Sequence, residues 1–178
     1  MKTFFTTKRL CRAGIIAGLY AALTYAFAPF AFGPLQIRPA EALCLLAGFF
    51  PEAIPALYVG CMLSNLASPY FVYDVFLGST ATLLGAVFTY LVARFIKREP
   101  IRFALCGFFP VLFNALIIPL IIVFLCGGGD GFDSLTIAYF TYAGSIALTE
   151  TIWIYGLGAP LYFQLKRLIE RSKSPFFT

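Results

Sequence analysis

Residues 40–66 have the sequence AEALCLLAGFFPEAIPALYVGCMLSNL, an apolar stretch that prolines interrupt near its middle. The stretch is longer than the about 20 residues that a helix needs to cross a bilayer, but Pro51 and Pro55 oppose one continuous helix. The stretch therefore predicts two short helices, at about 41–50 and 53–66. Because short helices at membrane depth are tolerated where they line a cavity or pack in protein, they point to a binding site.

The rest of the chain is equally apolar. Of its 178 residues, 61% are hydrophobic and 12% are charged, and the mean hydropathy is +0.89. Further apolar stretches occupy about 9–32, 72–96, 103–126 and 138–165. This composition excludes an ordinary soluble domain and predicts a membrane protein.

The basic residues predict the topology, because twelve of the thirteen fall into three clusters and clustered Lys and Arg mark cytoplasmic ends. An even number of crossings must then separate each pair of clusters. We expect one all-α domain over residues 1–178, a six-helix bundle with both ends inside and helices at about 9–28, 41–50, 53–66, 72–96, 103–126 and 138–165. The clusters are Lys2, Lys8, Arg9 and Arg12; Arg94, Lys97, Arg98 and Arg102; and Lys166, Arg167, Arg171 and Lys173.

Several classes of function are disfavoured. The net charge of +5 lies at predicted helix ends, which is typical of membrane orientation rather than of nucleic-acid binding. The chain has no histidine, no CxxC pair and no nucleotide-binding glycine loop, so we expect no metal, no cofactor and no enzymatic activity. An alternative for the first helix is a signal peptide, since Ala26-Phe27-Ala28 resembles a cleavage site.

Polar residues inside the membrane are costly, so each one needs a partner or a function. Arg38 and Glu41 are three residues apart and can either pair with each other or face a ligand. Asn65 and Asp74 flank a predicted outer loop, where they either cap helices or line a cavity. Glu52 follows Pro51 at a helix start, where a carboxylate is stabilised by the helix dipole.

Asn114 and Glu150 are predicted to lie at one depth, because each is twelve residues, about 18 Å, from the outer end of its helix. They either hydrogen-bond each other or converge on a ligand. Trp153 shares a helix face with Glu150 and is a candidate either for stacking on a flat ligand or for ordinary packing.

The first helix has small residues every four positions: Ala13, Ala17 and Ala21, beside Gly14, Gly18 and Ala22. This pattern favours close helix packing, internally or against a partner.

The order of these motifs resembles the QueT family, the substrate-binding S components of energy-coupling-factor (ECF) importers for queuosine precursors. The resemblance covers most of the chain and is closest over about 34–98. It rests on residues 37–43 (IRPAEAL), 51–57 (PEAIPAL), Gly60, Cys61, Asn65 and 74–79 (DVFLGS).

The resemblance implies a multi-pass protein of the bacterial plasma membrane that binds a 7-deazaguanine or queuine on its outer side. It also implies a coupling transmembrane subunit that docks on Ala13, Ala17 and Ala21, two partner ATPases, and a capping loop at about 28–40. The substrate candidates are Arg38, Glu41, Asn65, Asp74, Asn114, Glu150 and Trp153. Three alternatives are an S component for another vitamin-like molecule, an intramembrane enzyme, and a structural subunit that binds no ligand.

Overall fold

The computed structural model describes residues 6–32, 36–128 and 131–171, and every regular element in these ranges is a helix. Seven are α-helices and one is a 3₁₀ helix, and two of the α-helices contain a wider π turn. In chain order the elements are α1 (Thr7–Ala26), α2 (Ala28–Ala31), the 3₁₀ helix (Pro39–Gly48), α3 (Ala53–Asn65), α4 (Phe71–Phe95), α5 (Glu99–Leu125), α6 (Leu135–Gly156) and α7 (Gly158–Arg171).

The break near Pro51 is present at the predicted place, between the 3₁₀ helix and α3. An α-helix was expected on its N-terminal side, at 41–50, and the structure has 3₁₀ winding there instead. A 3₁₀ helix rises about 2.0 Å per residue, so ten residues extend about 20 Å rather than the about 15 Å of an α-helix. Pro55 lies in the first turn of α3, where its missing amide costs no hydrogen bond.

The 3₁₀ helix is the central element of the fold. It contacts α1 and every helix from α3 to α7, and nine of its ten residues are buried. Its sequence PAEALCLLAG is apolar on all sides apart from Glu41, which is the pattern of a helix surrounded by others. Glu41 therefore lies at the centre of the helical packing.

Helix α6 ends at Gly156 and α7 begins at Gly158, although the sequence predicted one helix over 138–165. Pro160 explains the interruption, because its ring would clash with the carbonyl of residue 156 in a continuous helix. Gly158 also passes close to the 3₁₀ helix, where an added Cβ would lie 2.5 Å from Leu45 Cδ1. The C-terminal region is therefore two helices.

Two helices in the described ranges, α4 and α5, are long and apolar enough to cross a membrane. Large apolar side chains cover much of the surface: Ile15, Phe95, Phe140 and Leu148 are each 65% or more exposed. Several polar and charged side chains are instead fully buried. An apolar exterior around a polar interior is the arrangement that a lipid environment favours.

Candidate substrate-binding site

Glu41 is the centre of a buried hydrogen-bond network. Its Oε1 accepts from the hydroxyl of Tyr20 on α1 and from that of Thr82 on α4, the latter at 3.1 Å. The Cys44 thiol donates to Oε2 at 3.1 Å. Both carboxylate oxygens therefore have protein partners, and Glu41 ties α1 and α4 to the 3₁₀ helix.

Arg38 does not pair with Glu41, which was one of the two predicted roles. Among the described residues it has no carboxylate within 4 Å; its Nε donates to the Ala31 carbonyl at 2.9 Å, and its guanidinium lies 5.2 Å from the Phe32 ring. Arg38 occupies the N-cap position of the 3₁₀ helix, and its carbonyl accepts from the Glu41 amide at 3.1 Å, so the two main chains are one turn apart while the side chains have different partners. Its Nη2 is buried without a hydrogen-bond partner.

Asn65 and Asp74 lie together where α3 ends and α4 begins. The Asn65 amide Nδ2 donates to the Asp74 main-chain carbonyl at 2.7 Å and contacts Ser79 Oγ at 3.3 Å. That carbonyl belongs to the π turn Asp74–Gly78. Asp74 Oδ2 accepts from the Ser68 hydroxyl at 2.5 Å. Asn65 Oδ1 and Asp74 Oδ1 remain buried without partners.

Asn114 on α5 and Glu150 on α6 meet as predicted from their equal depth. Asn114 Nδ2 donates to Glu150 Oε1 at 3.4 Å, and the two residues are 2% and 1% exposed. This contact leaves Asn114 Oδ1 and Glu150 Oε2 buried without hydrogen-bond partners. The contact corresponds to the first of the two predicted roles, and convergence of the two side chains on a ligand stays a prediction.

Trp153 lies one turn from Glu150 and is partly buried. Its indole packs against the ring of Phe27 at the end of α1, with centroids 6.2 Å apart and planes at 60°. This geometry corresponds to the predicted packing role. A contact between Trp153 and a ligand stays a prediction.

Besides Glu52 Oε1, which is in the ion pair with Arg12, five buried polar atoms without a hydrogen-bond partner belong to residues that the sequence had singled out. Native proteins pair the great majority of such atoms, so these five make the cluster a candidate site for a polar ligand. The set contains one donor and four acceptors. The atoms are Arg38 Nη2, Asn65 Oδ1, Asp74 Oδ1, Asn114 Oδ1 and Glu150 Oε2.

Tyr20, Cys44 and Thr82 donate hydrogen bonds to Glu41, and sequence reasoning did not select them. Thr82 had a detectable signal, since Ser79 and Thr82 are polar, three residues apart and within an apolar helix. Both are fully buried, on the face of α4 that meets Asn65 and Glu41. Tyr20 had no such signal, because tyrosine is also common at membrane interfaces.

A second feature is an apolar groove of about 250 Å³ between α1 and α3. Ala13, Gly14 and Ala17 line it on α1, and Pro55, Ala56 and Val59 line it on α3. Ala21 does not line it. Ala17 also packs internally, since a Cβ on Gly60 would lie 2.9 Å from the Ala17 carbonyl oxygen.

Glu52 lies at the edge of this groove and forms an ion pair with Arg12 at 3.0 Å. It occupies the N-cap position of α3, but its side chain makes no capping hydrogen bond. Glu52 therefore lies at a helix N-terminus, as predicted, and also joins α1 to α3 through its ion pair with Arg12.

Comparison with known proteins identifies the family. A family model described as QueT transporter matches residues 10–167. The Queuosine precursor transporter QueT of Lactococcus lactis subsp. cremoris (strain MG1363) is 39% identical over 72 residues, which are 39% of this chain and 42% of that relative. No solved structure matches. The chain belongs to the QueT transporter family, and its two long apolar helices agree with a protein of the membrane.

Proposed function

We propose that this chain is the substrate-binding S component of an ECF importer, and that it takes up a queuosine precursor across the bacterial plasma membrane. The observation that carries the proposal is the set of five unpartnered polar atoms buried among α3, α4, α5, α6 and the residue before the 3₁₀ helix. The family match and the name of the Lactococcus relative support the choice of substrate class.

A 7-deazaguanine ring matches these atoms chemically. It presents several N–H donors on its edges, which the oxygens of Asn65, Asn114 and Glu150 can accept. It also presents a carbonyl oxygen, to which Arg38 Nη2 can donate. Glu41 would act by holding the surrounding helices, since its own oxygens already accept from Tyr20, Thr82 and Cys44.

The groove between α1 and α3 is the surface that we assign to the coupling transmembrane subunit. Ala13, Gly14 and Ala17 allow the backbone of a partner helix to approach closely. The sequence contains no nucleotide-binding glycine motif, so ATP hydrolysis would come from two partner ATPases. In this proposal the chain crosses the membrane six times with both ends inside.

Uptake in proteoliposomes tests this function. Vesicles that contain this chain, a coupling subunit and two ATPases should accumulate radiolabelled 7-deazaguanines only when ATP is present. Vesicles in which the ATPases carry an inactivating substitution are the matched control and should accumulate none. Uptake of a vitamin but of no deazaguanine would support the alternative S component, and the absence of any ligand-dependent transport would contradict a role in import.

A further inference from the structure

The short turn between α4 and α5 exposes basic and large apolar side chains side by side. Its three cations are all exposed. Phe95 is 75% exposed, the highest fraction for a large apolar side chain in the described ranges, and Ile101 is 44% exposed. The turn patch, as we call this surface, consists of Arg94, Phe95, Lys97, Arg98 and Ile101.

The cations of the turn patch have no acidic partner in the described part of the chain. Glu99 is next to Arg98 in sequence, but its carboxylate lies against α7, 3.0 Å from Lys166 Nζ. The turn patch therefore has a formal charge of +3, from three cations and no acid. The ion pairs found in the described ranges join Arg12 to Glu52, Arg102 to Glu99, and Lys166 to Glu99 and Glu170.

The other two basic clusters differ in this respect. Arg12 is paired with Glu52 at the edge of the groove between α1 and α3. On α7, Lys166 pairs with Glu170, so the last turns of that helix carry an acid among their cations. Uncompensated positive charge is thus most concentrated at the turn patch.

The end of α4 has the features of a helix that leaves hydrocarbon at the level of the lipid headgroups. Helix α4 is long and apolar enough to cross a membrane, and it ends at Phe95. The Arg94 guanidinium donates to the hydroxyl of Tyr90, one turn earlier, at 2.9 Å. Tyrosine is enriched at membrane interfaces, and arginine lays its apolar stem along the helix while its charge reaches the headgroups.

The combination of charge and exposed apolar area indicates what covers the turn patch. In the proposed orientation this turn faces the cytoplasm, where anionic lipids give the leaflet a negative surface potential. A free phosphate would complement the cations but would leave Phe95 and Ile101 exposed to water. A phospholipid complements both, because its phosphate meets the cations while its acyl chains cover the apolar side chains.

We propose that the turn patch is a binding site for an anionic phospholipid of the inner leaflet. The headgroup phosphate accepts charge-assisted hydrogen bonds from Lys97 and Arg98, and Phe95 and Ile101 contact the acyl chains. Arg94 adds positive charge at the same level. This lipid site does not depend on the imported molecule, and it uses only the orientation of the chain from the proposed function.

Native mass spectrometry of the purified protein with two competing lipids tests this site. The lipids are phosphatidylglycerol and phosphatidylcholine with identical acyl chains, added in equal amounts. We expect the wild type to prefer phosphatidylglycerol at least about fivefold, the order expected of one basic residue near an anionic surface. The double variant Lys97→Gln/Arg98→Gln should reduce this preference to less than about twofold.

The matched control is Arg167→Gln/Arg171→Gln, which removes two exposed cations from α7 instead. It should keep the preference of the wild type. Equal binding of the two lipids by the wild type would overturn the site. Loss of the preference in both double variants would assign it to net charge rather than to the turn patch, and would also overturn the site.

Two further measurements distinguish a lipid from a small anion. Glycerol phosphate in excess, which has the headgroup chemistry without acyl chains, should not displace phosphatidylglycerol; displacement would indicate a phosphate site and contradict a lipid site. Phe95→Ser should weaken binding of both lipids and leave their ratio unchanged. Unchanged affinity of folded Phe95→Ser for both lipids would contradict the contact with the acyl chains.

Discussion

Glu150 is the residue whose substitution reports most directly on ligand binding. Glu150→Gln keeps the size of the side chain and the contact with Asn114 but removes a negative charge and replaces one acceptor oxygen by a donor. We expect ligand affinity to fall at least tenfold, a loss of about 1.4 kcal/mol. Titration of the purified variant with the ligand measures this loss of affinity.

The control for this substitution is Glu170→Gln. Glu170 lies on α7, is exposed, and forms a peripheral ion pair with Lys166 at 3.7 Å. The control should bind ligand as the wild type does. If Glu150→Gln is folded and retains full affinity, Glu150 is not part of the binding site.

Tyr20 has a structural role that can be separated from ligand binding. Tyr20→Phe keeps the ring but removes a hydroxyl that donates to the buried carboxylate of Glu41. We expect a loss of about 1–3 kcal/mol in stability, because the carboxylate loses a donor. Thermal denaturation in detergent should give Tyr20→Phe a lower midpoint than Tyr139→Phe. The Tyr139 hydroxyl donates to the Leu116 carbonyl from an exposed position, so its removal should cost less. Equal midpoints for the two variants would argue against a stabilising network around Glu41.

For single residues, the sequence could identify the buried polar side chains but not most of their hydrogen-bond partners. The Asn114–Glu150 contact was predictable because depth follows from counting residues along two helices. The Tyr20–Glu41 contact was not, since it joins helices whose relative rotation the sequence does not specify. An Arg38–Glu41 ion pair, one of two predicted roles, is not found in the described part of the chain, because spacing along the chain does not specify side-chain direction and Arg38 donates to the Ala31 carbonyl instead.

Between elements, Gly60 controls how closely α1 and α3 approach. A Cβ at this position would lie 2.9 Å from the Ala17 carbonyl oxygen and 3.0 Å from Tyr20 Cβ, so Gly60→Ala must separate the two helices. We expect a destabilisation of about 1–3 kcal/mol. Gly18→Ala on α1 is the matched control, because its Cβ meets nothing within 4 Å and alanine favours helix by up to about 1 kcal/mol. Denaturant titration of both variants checks this; no loss for Gly60→Ala would mean that the helices are not in close contact.

The groove on α1 can be blocked without disturbing the interior. Gly14 lines the groove and has open space around it, as does Gly144 on α6, which lies outside it. We expect Gly14→Leu to abolish co-purification with the coupling subunit and the ATPases while ligand affinity is unchanged. Gly144→Leu should preserve both. Normal complex formation by Gly14→Leu would exclude this groove as the docking surface.

Pro51 and Pro160 lie at helix breaks, whereas Pro110 and Pro119 lie within α5, so a proline alone does not predict a break. Pro51 marked the gap between the 3₁₀ helix and α3, but the apolar pattern over Pro39–Gly48 does not distinguish 3₁₀ from α winding. Pro160 carried the same signal for the break between α6 and α7. It was overlooked because the apolar pattern continues across it.

For the whole molecule, the distribution of basic residues predicts that both termini face the cytoplasm. A reporter enzyme active only in the cytoplasm should be active when fused to either end, and a periplasm-specific reporter should be inactive at both. A fusion within the loop between α5 and α6 should give the opposite pattern, because that loop is predicted to lie outside. Opposite reporter activities at the two termini would require an odd number of crossings and would contradict the six-helix topology.

The central claim is that the buried polar site holds a queuosine precursor. Mass spectrometry of the small molecules released from protein purified out of its native membrane tests it most directly. The account predicts recovery of a 7-deazaguanine in near-stoichiometric amount from the wild type, and much less from Glu150→Gln. Recovery of an unrelated vitamin, or equal amounts of a deazaguanine from both proteins, would contradict it.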